Sequence, residues 1–307
     1  MRYQLYIPSL LFSTTSILII SANLFLNLTL DNSISTFIAL ILISTIGIYH
    51  GAFDINKANH ICKKLNLKPY KFNLVYILFS LTIVVLWVYF PISLISIFLL
   101  LSAHHFGSEE YSYYKFKSSL IPSILRGSLV LILPITFHFN ETIYIFKTIN
   151  IRFEGPTIFA LESNYIVLAV IIFINFIFSF TKQSNIKFNR IMINMDMLIL
   201  VLVNYLIEPL TAFTIYFCFL HSARNISKLD NYSRKSILGS NKQVLHISYL
   251  TFLIFLIVFS TLYMLVDLNA SAYNTIFIGL AALTFPHIAT DIAFNRLVYR
   301  IKSSWKK

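Results

Sequence analysis

The sequence predicts an all-α protein, a polytopic transmembrane helix bundle of about ten helices. Three observations carry that expectation. Of 307 residues, 57% are hydrophobic and the mean hydropathy is +0.76, a composition suited to lipid rather than to a water-facing surface. Apolar runs near the roughly 20 residues a helix needs to cross the hydrocarbon core recur from end to end. Lysine and arginine gather in alternate connections, the pattern left by cytoplasmic loops.

Taken in order, the first run, about Leu5 to Leu30, is long, contains Pro8, and has no small-residue cleavage site after it. It is expected to be a membrane helix and not a removable leader. The next spans about Ser33 to Ile55, after the tight link Asp31-Asn32. Runs at about Asn73 to Phe90 and Ile92 to Gly107 meet at Pro91, and runs at about Ile191 to Ile207 and Leu210 to Ile226 meet at Pro209. Proline suits a helix boundary better than a helix interior. The remaining spans are placed at about Leu120 to Phe139, Asn164 to Phe180, His246 to Val266 and Ala272 to Phe294. Asn140 to Ser163 is the longest external connection, with room for a short surface helix. No repeat, low-complexity linker or polar domain interrupts the pattern, so residues 1–307 are expected to form a single integral membrane domain.

A net charge of +12 would point to nucleic acid in a soluble chain, but here the basic residues sort by loop. Lys57, Lys63, Lys64, Lys68 and Lys71 occupy the expected connection from Asn56 to Phe72, and Lys228, Arg234, Lys235 and Lys242 the one from Ser227 to Gln243. Lys115 and Lys117, then Lys182, Lys187 and Arg190, mark two more, and Arg296, Arg300, Lys302, Lys306 and Lys307 the tail. Intervening loops hold only Lys147 and Arg152. This pattern puts both termini in the cytoplasm, the chain in the inner membrane, and the lipid bilayer in place of any nucleic-acid partner. Cys62 and Cys218 lie far apart without metal spacing and are expected to be ordinary thiols.

Within this apolar chain the stretch from Phe213 to Asn225 ends by placing His221, Ser222 and Arg224 within four positions. Polar groups at such depth cost free energy unless paired, and they mark function. Asn225 follows His221 by four residues, Asp54 follows His50, Glu109 follows His105, and Asp291 follows His287. On an α-helix each such pair shares a face. Asp and Glu total only 12, so three acids at this spacing stand out. The loop charges place His50, His105 and His221 at the cytoplasmic ends of their helices and His287 in the inner half of the last, so all four meet at one level. His60 and His246 are expected to be interfacial or structural, His104 points about 100° away from His105, and His138 lies near the opposite end of its helix.

Imidazole is a ligand for iron, copper and zinc, and a ligating histidine usually has its other nitrogen held by a carboxylate or carbonyl. Asp54, Glu109 and Asp291 are candidates for that second role, or one of them for a place among the ligands. A histidine-rich set without thiolates suits a non-haem Fe(2+) centre with positions open to O2, and zinc or copper fits the same donors.

The ordered set Gly47-Ile48-Tyr49-His50-Gly51-Ala52-Phe53-Asp54, His105-Phe106-Gly107, Arg126-Gly127, Pro209, His221-Ser222-Ala223-Arg224 and Pro286-His287 resembles the Brp/Blh family of β-carotene 15,15'-dioxygenases. The resemblance runs from about Gly47 to Arg296 and implies a multi-pass enzyme that uses Fe(2+) and O2 to cleave β-carotene into two molecules of retinal. It implies His50, His105 and His221 as metal ligands. Where the family's HSxRH motif has a second histidine, this chain has Asn225, whose amide is a poorer ligand. His287 completes the set, or three histidines and a water do. Asp54 and Glu109 are then the acids expected to serve the chemistry, and a retinal-binding rhodopsin is a functional partner consistent with the product.

Two rivals stand beside this. Membrane diiron desaturases also act on lipids, but their HxxxH and HxxHH clusters are missing here. A retinoid or carotenoid carrier, or a rhodopsin accessory protein, would need no metal and would tolerate Asn225.

Overall fold

A computed structural model describes residues 6–26, 31–117, 119–152, 165–181, 187–233 and 241–304. The described residues are helices joined by short turns. After α1 (Ile7–Leu26), α2 (Asn32–Leu42) runs through a π turn (Ile43–Gly47) and a 3-10 turn (His50–Phe53) into α3 (Asp54–Lys64). Next come α4 (Pro69–Tyr89), α5 (Pro91–Tyr113), α6 (Leu120–Phe137), α7 (Phe139–Thr148), α8 (Tyr165–Thr181) and α9 (Lys187–Leu206). Finally α10 (Pro209–Tyr216) passes through a second π turn (Phe217–Ser222) into α11 (Ala223–Ser233), followed by α12 (Asn241–Tyr263) and α13 (Leu268–Ser304).

Helix boundaries follow local chemistry. Pro69, Pro91 and Pro209 open α4, α5 and α10, where the missing N–H is no loss. Asp31 caps α2 by accepting from the Ser33 N–H. Asn66, Lys115 and Asn150 take left-handed φ of 55°, 61° and 63° just past α3, α5 and α7. There the next N–H reaches back to a carbonyl of the last turn, as in Phe116 N–H to Tyr111 O at 2.8 Å.

Eight of these helical runs are long and apolar enough to cross a membrane. The apolar α8 is shorter, and the expected span from Leu210 to Ile226, in the α10–α11 run, is not among the eight; with eight such helices the chain is a multi-pass membrane protein. Two expectations are corrected. The connection drawn from Asn56 to Phe72 is helical at both ends, with only residues 65–68 between α3 and α4. The last helix extends beyond its expected limits, to Leu268–Ser304, and carries Pro286 in its interior. In the segment from Asn140 to Ser163, α7 is a short helix with Thr142, Ile143, Ile145 and Phe146 buried along one side, and residues 153–163 lie outside the described residues. Lys182, Arg234, Lys235, Lys306 and Lys307 lie outside the described residues.

Polarity is arranged inside out. Leu18, Phe25, Val88 and Ile166 face outward, while Ser9, Glu110, Arg126, Asp196 and Arg224 are buried. Lipid solvates the former and cannot satisfy the latter, so the charges pair among themselves. Arg126 donates to Glu110 at 2.7 and 2.8 Å and to the Ile193 carbonyl at 2.7 Å. Arg224 joins Glu110 at 3.2 Å, bonds to Asp196, and lies over the Tyr114 ring at 5.0 Å. This network ties α5, α6, α9 and α11 together.

Candidate metal centre

Each histidine of interest comes from a different stretch: His50 from the first 3-10 turn, His105 from α5, His221 from the second π turn, and His287 from α13. All are buried, at 4–7% exposure. Their rings form a closed cycle, with centroids 5.0 Å apart for His50–His221, 5.3 Å for His221–His105, 5.2 Å for His105–His287 and 5.3 Å for His287–His50.

Irregular helix geometry makes this convergence possible. The two π turns pack against each other, and a Cβ on Gly47 would lie 2.7 Å from the Phe217 ring. A side chain there would have to push that ring aside, and π turns of this kind are frequent at functional sites. The Gly47 carbonyl accepts from Ser222 Oγ at 2.5 Å and lies 2.9 Å from Nδ1 of His50. A carbonyl can only accept, so Nδ1 carries the proton and Nε2 of His50 keeps its lone pair.

Asp291 lies beside His287 as the spacing expects, with Oδ2 3.7 Å from Nε2, but Asp54 and Glu109 pair differently. Asp54 does not back His50; its Oδ2 accepts from Nδ1 of His287 at 2.8 Å. The reason is the 3-10 turn. Four residues along it bring a side chain about 120° off the starting direction, against about 40° in an α-helix. Tyr76 donates to the same carboxylate at 3.2 Å, and Lys57 lies 3.1 Å from its other oxygen while also bonding to Asp291. Glu109 pairs with Lys228 at 2.6 Å, a contact between α5 and α11 and not one with a histidine ring. Asn225 stays beside its partner, with its amide nitrogen 3.4 Å from Nε2 of His221. Ser222, the Gly47 carbonyl and Lys57 are contacts that spacing alone did not single out.

The donor set fits a metal ion. Ligand atoms of His50, His105 and His221 lie within 4.8 Å of one another, as do those of His105, His287 and Asp291. Nitrogens on opposite sides of one ion are about 4 Å apart, so a small inward adjustment suffices. Nε2 of His105 and Nε2 of His287 are buried with no hydrogen-bond partner among the described residues. An unpaired buried imidazole nitrogen is costly unless an ion takes its lone pair. Phe106, Phe217 and Tyr216 wall the cluster, with ring centroids 4.7, 5.6 and 6.4 Å from that of His221.

Fold and site together define a multi-pass membrane protein whose helices converge on a buried cluster of histidines. The chain belongs to the β-carotene 15,15'-dioxygenase family, whose model matches residues 41–290 and so includes all four histidines. It is similar to the β-carotene 15,15'-dioxygenase of uncultured marine bacterium 66A03, with 28% identity over 276 residues, 86% of this chain and 96% of that protein. No solved structure matches it.

Proposed function

We propose that this protein is an Fe(2+)-dependent oxygenase that cleaves the central 15,15' double bond of β-carotene with O2, each oxygen atom ending in one of two retinal molecules. The observation that carries the proposal is the closed cycle of four buried imidazoles with two unpaired nitrogens, in a chain of this family. His50, His105, His221 and His287 would hold the ion, which when bound supplies the electrons that activate O2. Asp54 holds the proton on Nδ1 of His287, and the Gly47 carbonyl, with Ser222, holds the one on Nδ1 of His50. Both are positioning roles, directing Nε2 inward. Glu109 acts at one remove by anchoring α11 through Lys228. Phe106, Phe217 and Tyr216 offer ring faces to a polyene and keep water from the reacting centre.

The substrate fits the solvent. β-Carotene dissolves in a hydrocarbon core about 30 Å thick, and retinal released there is available to a retinal-binding protein such as a rhodopsin. We place both termini in the cytoplasm, the protein in the inner membrane, and residues 1–307 in a single integral domain. Basic residues in alternate connections support that orientation. Reporter fusions after Lys71 and after Gln243 should both register cytoplasm; a periplasmic signal from either reverses it.

The function is tested in cells that make β-carotene, with retinal read by extraction and by the colour of a co-expressed retinal-binding apoprotein. Native protein should form retinal, His221→Ala should lose at least about 100-fold, and Asn225→His should stay within a few-fold of native because four imidazoles already face the centre. Retinal from neither native nor Asn225→His protein leaves a carotenoid or retinoid carrier. Retinal from Asn225→His alone means that the amide beside His221 has cost this chain a needed ligand.

A further inference from the structure

Two carboxylates flank the ring of His287, and they are not equivalent. Asp54 accepts a hydrogen bond from Nδ1 at 2.8 Å and is thereby committed to the outer side of the ring. Asp291, one turn along α13, lies on the other side, with Oδ2 3.7 Å from Nε2. That distance is too long for a hydrogen bond. It falls on the nitrogen that has no partner, and one oxygen of Asp291 shares a common space with a nitrogen of His105 and one of His287, all within 4.8 Å. Lys57 bonds to the opposite oxygen, Oδ1, and reaches Asp54 at 3.1 Å. One ammonium group thus holds both carboxylates in place and leaves Oδ2 of Asp291 turned toward the histidines.

We propose that Asp291 is a ligand of the metal centre, giving a donor set of four histidines and one carboxylate, with Lys57 as the residue that aims it. The proposal rests on the metal-binding role of the four histidines given above and adds the oxygen donor. Its chemical sense lies in charge. Neutral imidazoles leave the full double charge of a divalent ion inside a low-dielectric bundle, and one carboxylate halves it. A carboxylate also favours iron over the softer competitors that an all-imidazole site accepts. Glu109 belongs to no such group of ligand atoms among the described residues, and Asn225 offers only an amide.

Cobalt(II) is the probe, because its visible absorption reports the number and kind of ligands without any turnover. Purified full-length protein in detergent is titrated with cobalt(II) and then challenged with a chelator. Asp291→Asn should change the band positions and weaken binding at least about 10-fold; Asp54→Asn should weaken binding with the bands unmoved, as loss of a positioning residue does. Asp291→Cys supplies a positive signal and an independent check should the Asn variant fail to fold. A thiolate there should add a sulfur-to-cobalt charge-transfer band in the near ultraviolet that native protein lacks, since neither Cys62 nor Cys218 belongs to either group of ligand atoms among the described residues. Bands of Asp291→Asn that superimpose on native, or a foldable Asp291→Cys protein without the new band, overturn the role of Asp291 while leaving the histidine site intact. Native protein that binds no cobalt at all overturns the histidine site and the carboxylate with it.

Discussion

Replacing Arg224 by alanine is expected to destabilise the folded protein by about 3–5 kcal/mol, the cost of leaving buried charges without their partner. Its guanidinium bonds to Asp196, lies 3.2 Å from Glu110, and covers the rings of Tyr113 and Tyr114 at 5.5 and 5.0 Å. Removing it leaves the Asp196 carboxylate, 1% exposed, with the Tyr114 and Ser9 hydroxyls as donors but without its counter-charge, in a bundle surrounded by lipid. Glu110 suffers less, because Arg126 still grips it with two bonds. Thermal unfolding in detergent should show a large fall in Tm. The double variant Arg224→Met with Asp196→Leu should recover much of it, since an apolar pair of similar volume avoids both desolvation penalties. A small loss for the single variant would mean that water reaches these groups.

Gly127→Ala is expected to be of comparable severity, above about 3 kcal/mol and at the upper end for overpacking. A Cβ there would sit 1.8 Å from the Ala103 carbonyl oxygen, and one on Gly107 would sit 1.9 Å from that of Ser123. Both obstacles are backbone, so α5 and α6 must separate; no side chain can turn aside. The damage is not confined to stability. His105 lies between Ala103 and Gly107 on α5, so parting the helices also displaces its nitrogen from the cluster. Folded Gly127→Ala protein should therefore bind metal more weakly than native protein in proportion to its loss of Tm. Unaltered Tm would show that the crossing is looser than described.

The bundle was legible because its signals are local. Apolar length marks the spans, and Pro69, Pro91 and Pro209 mark where helices begin. That His50, His105, His221 and His287 share one level followed from the order of charged loops. The spacing rightly put Asp291 beside His287, but that Asp54 faces His287 and not His50 was not legible, since it depends on a turn that departs from the α-helix. The 3-10 turn swings Asp54 away from His50 and onto His287, and the π turn at Phe217–Ser222 brings Ser222 to Gly47 and Nδ1 of His50. A pattern of fixed four-residue spacing assumes a regular helix and fails where the helix is not regular. The Glu110–Arg126–Arg224–Asp196 network was half visible. Single charges inside apolar runs call for partners, but matching them needs the packing of four helices.

Whether these histidines form an iron site is read from metal analysis of the native protein purified from iron-replete cells, alongside His105→Ala. Native protein should carry about one iron per chain and the variant little, because losing one imidazole leaves the others misdirected. Native protein without iron, or a His105→Ala variant that keeps its full share, would contradict such a site.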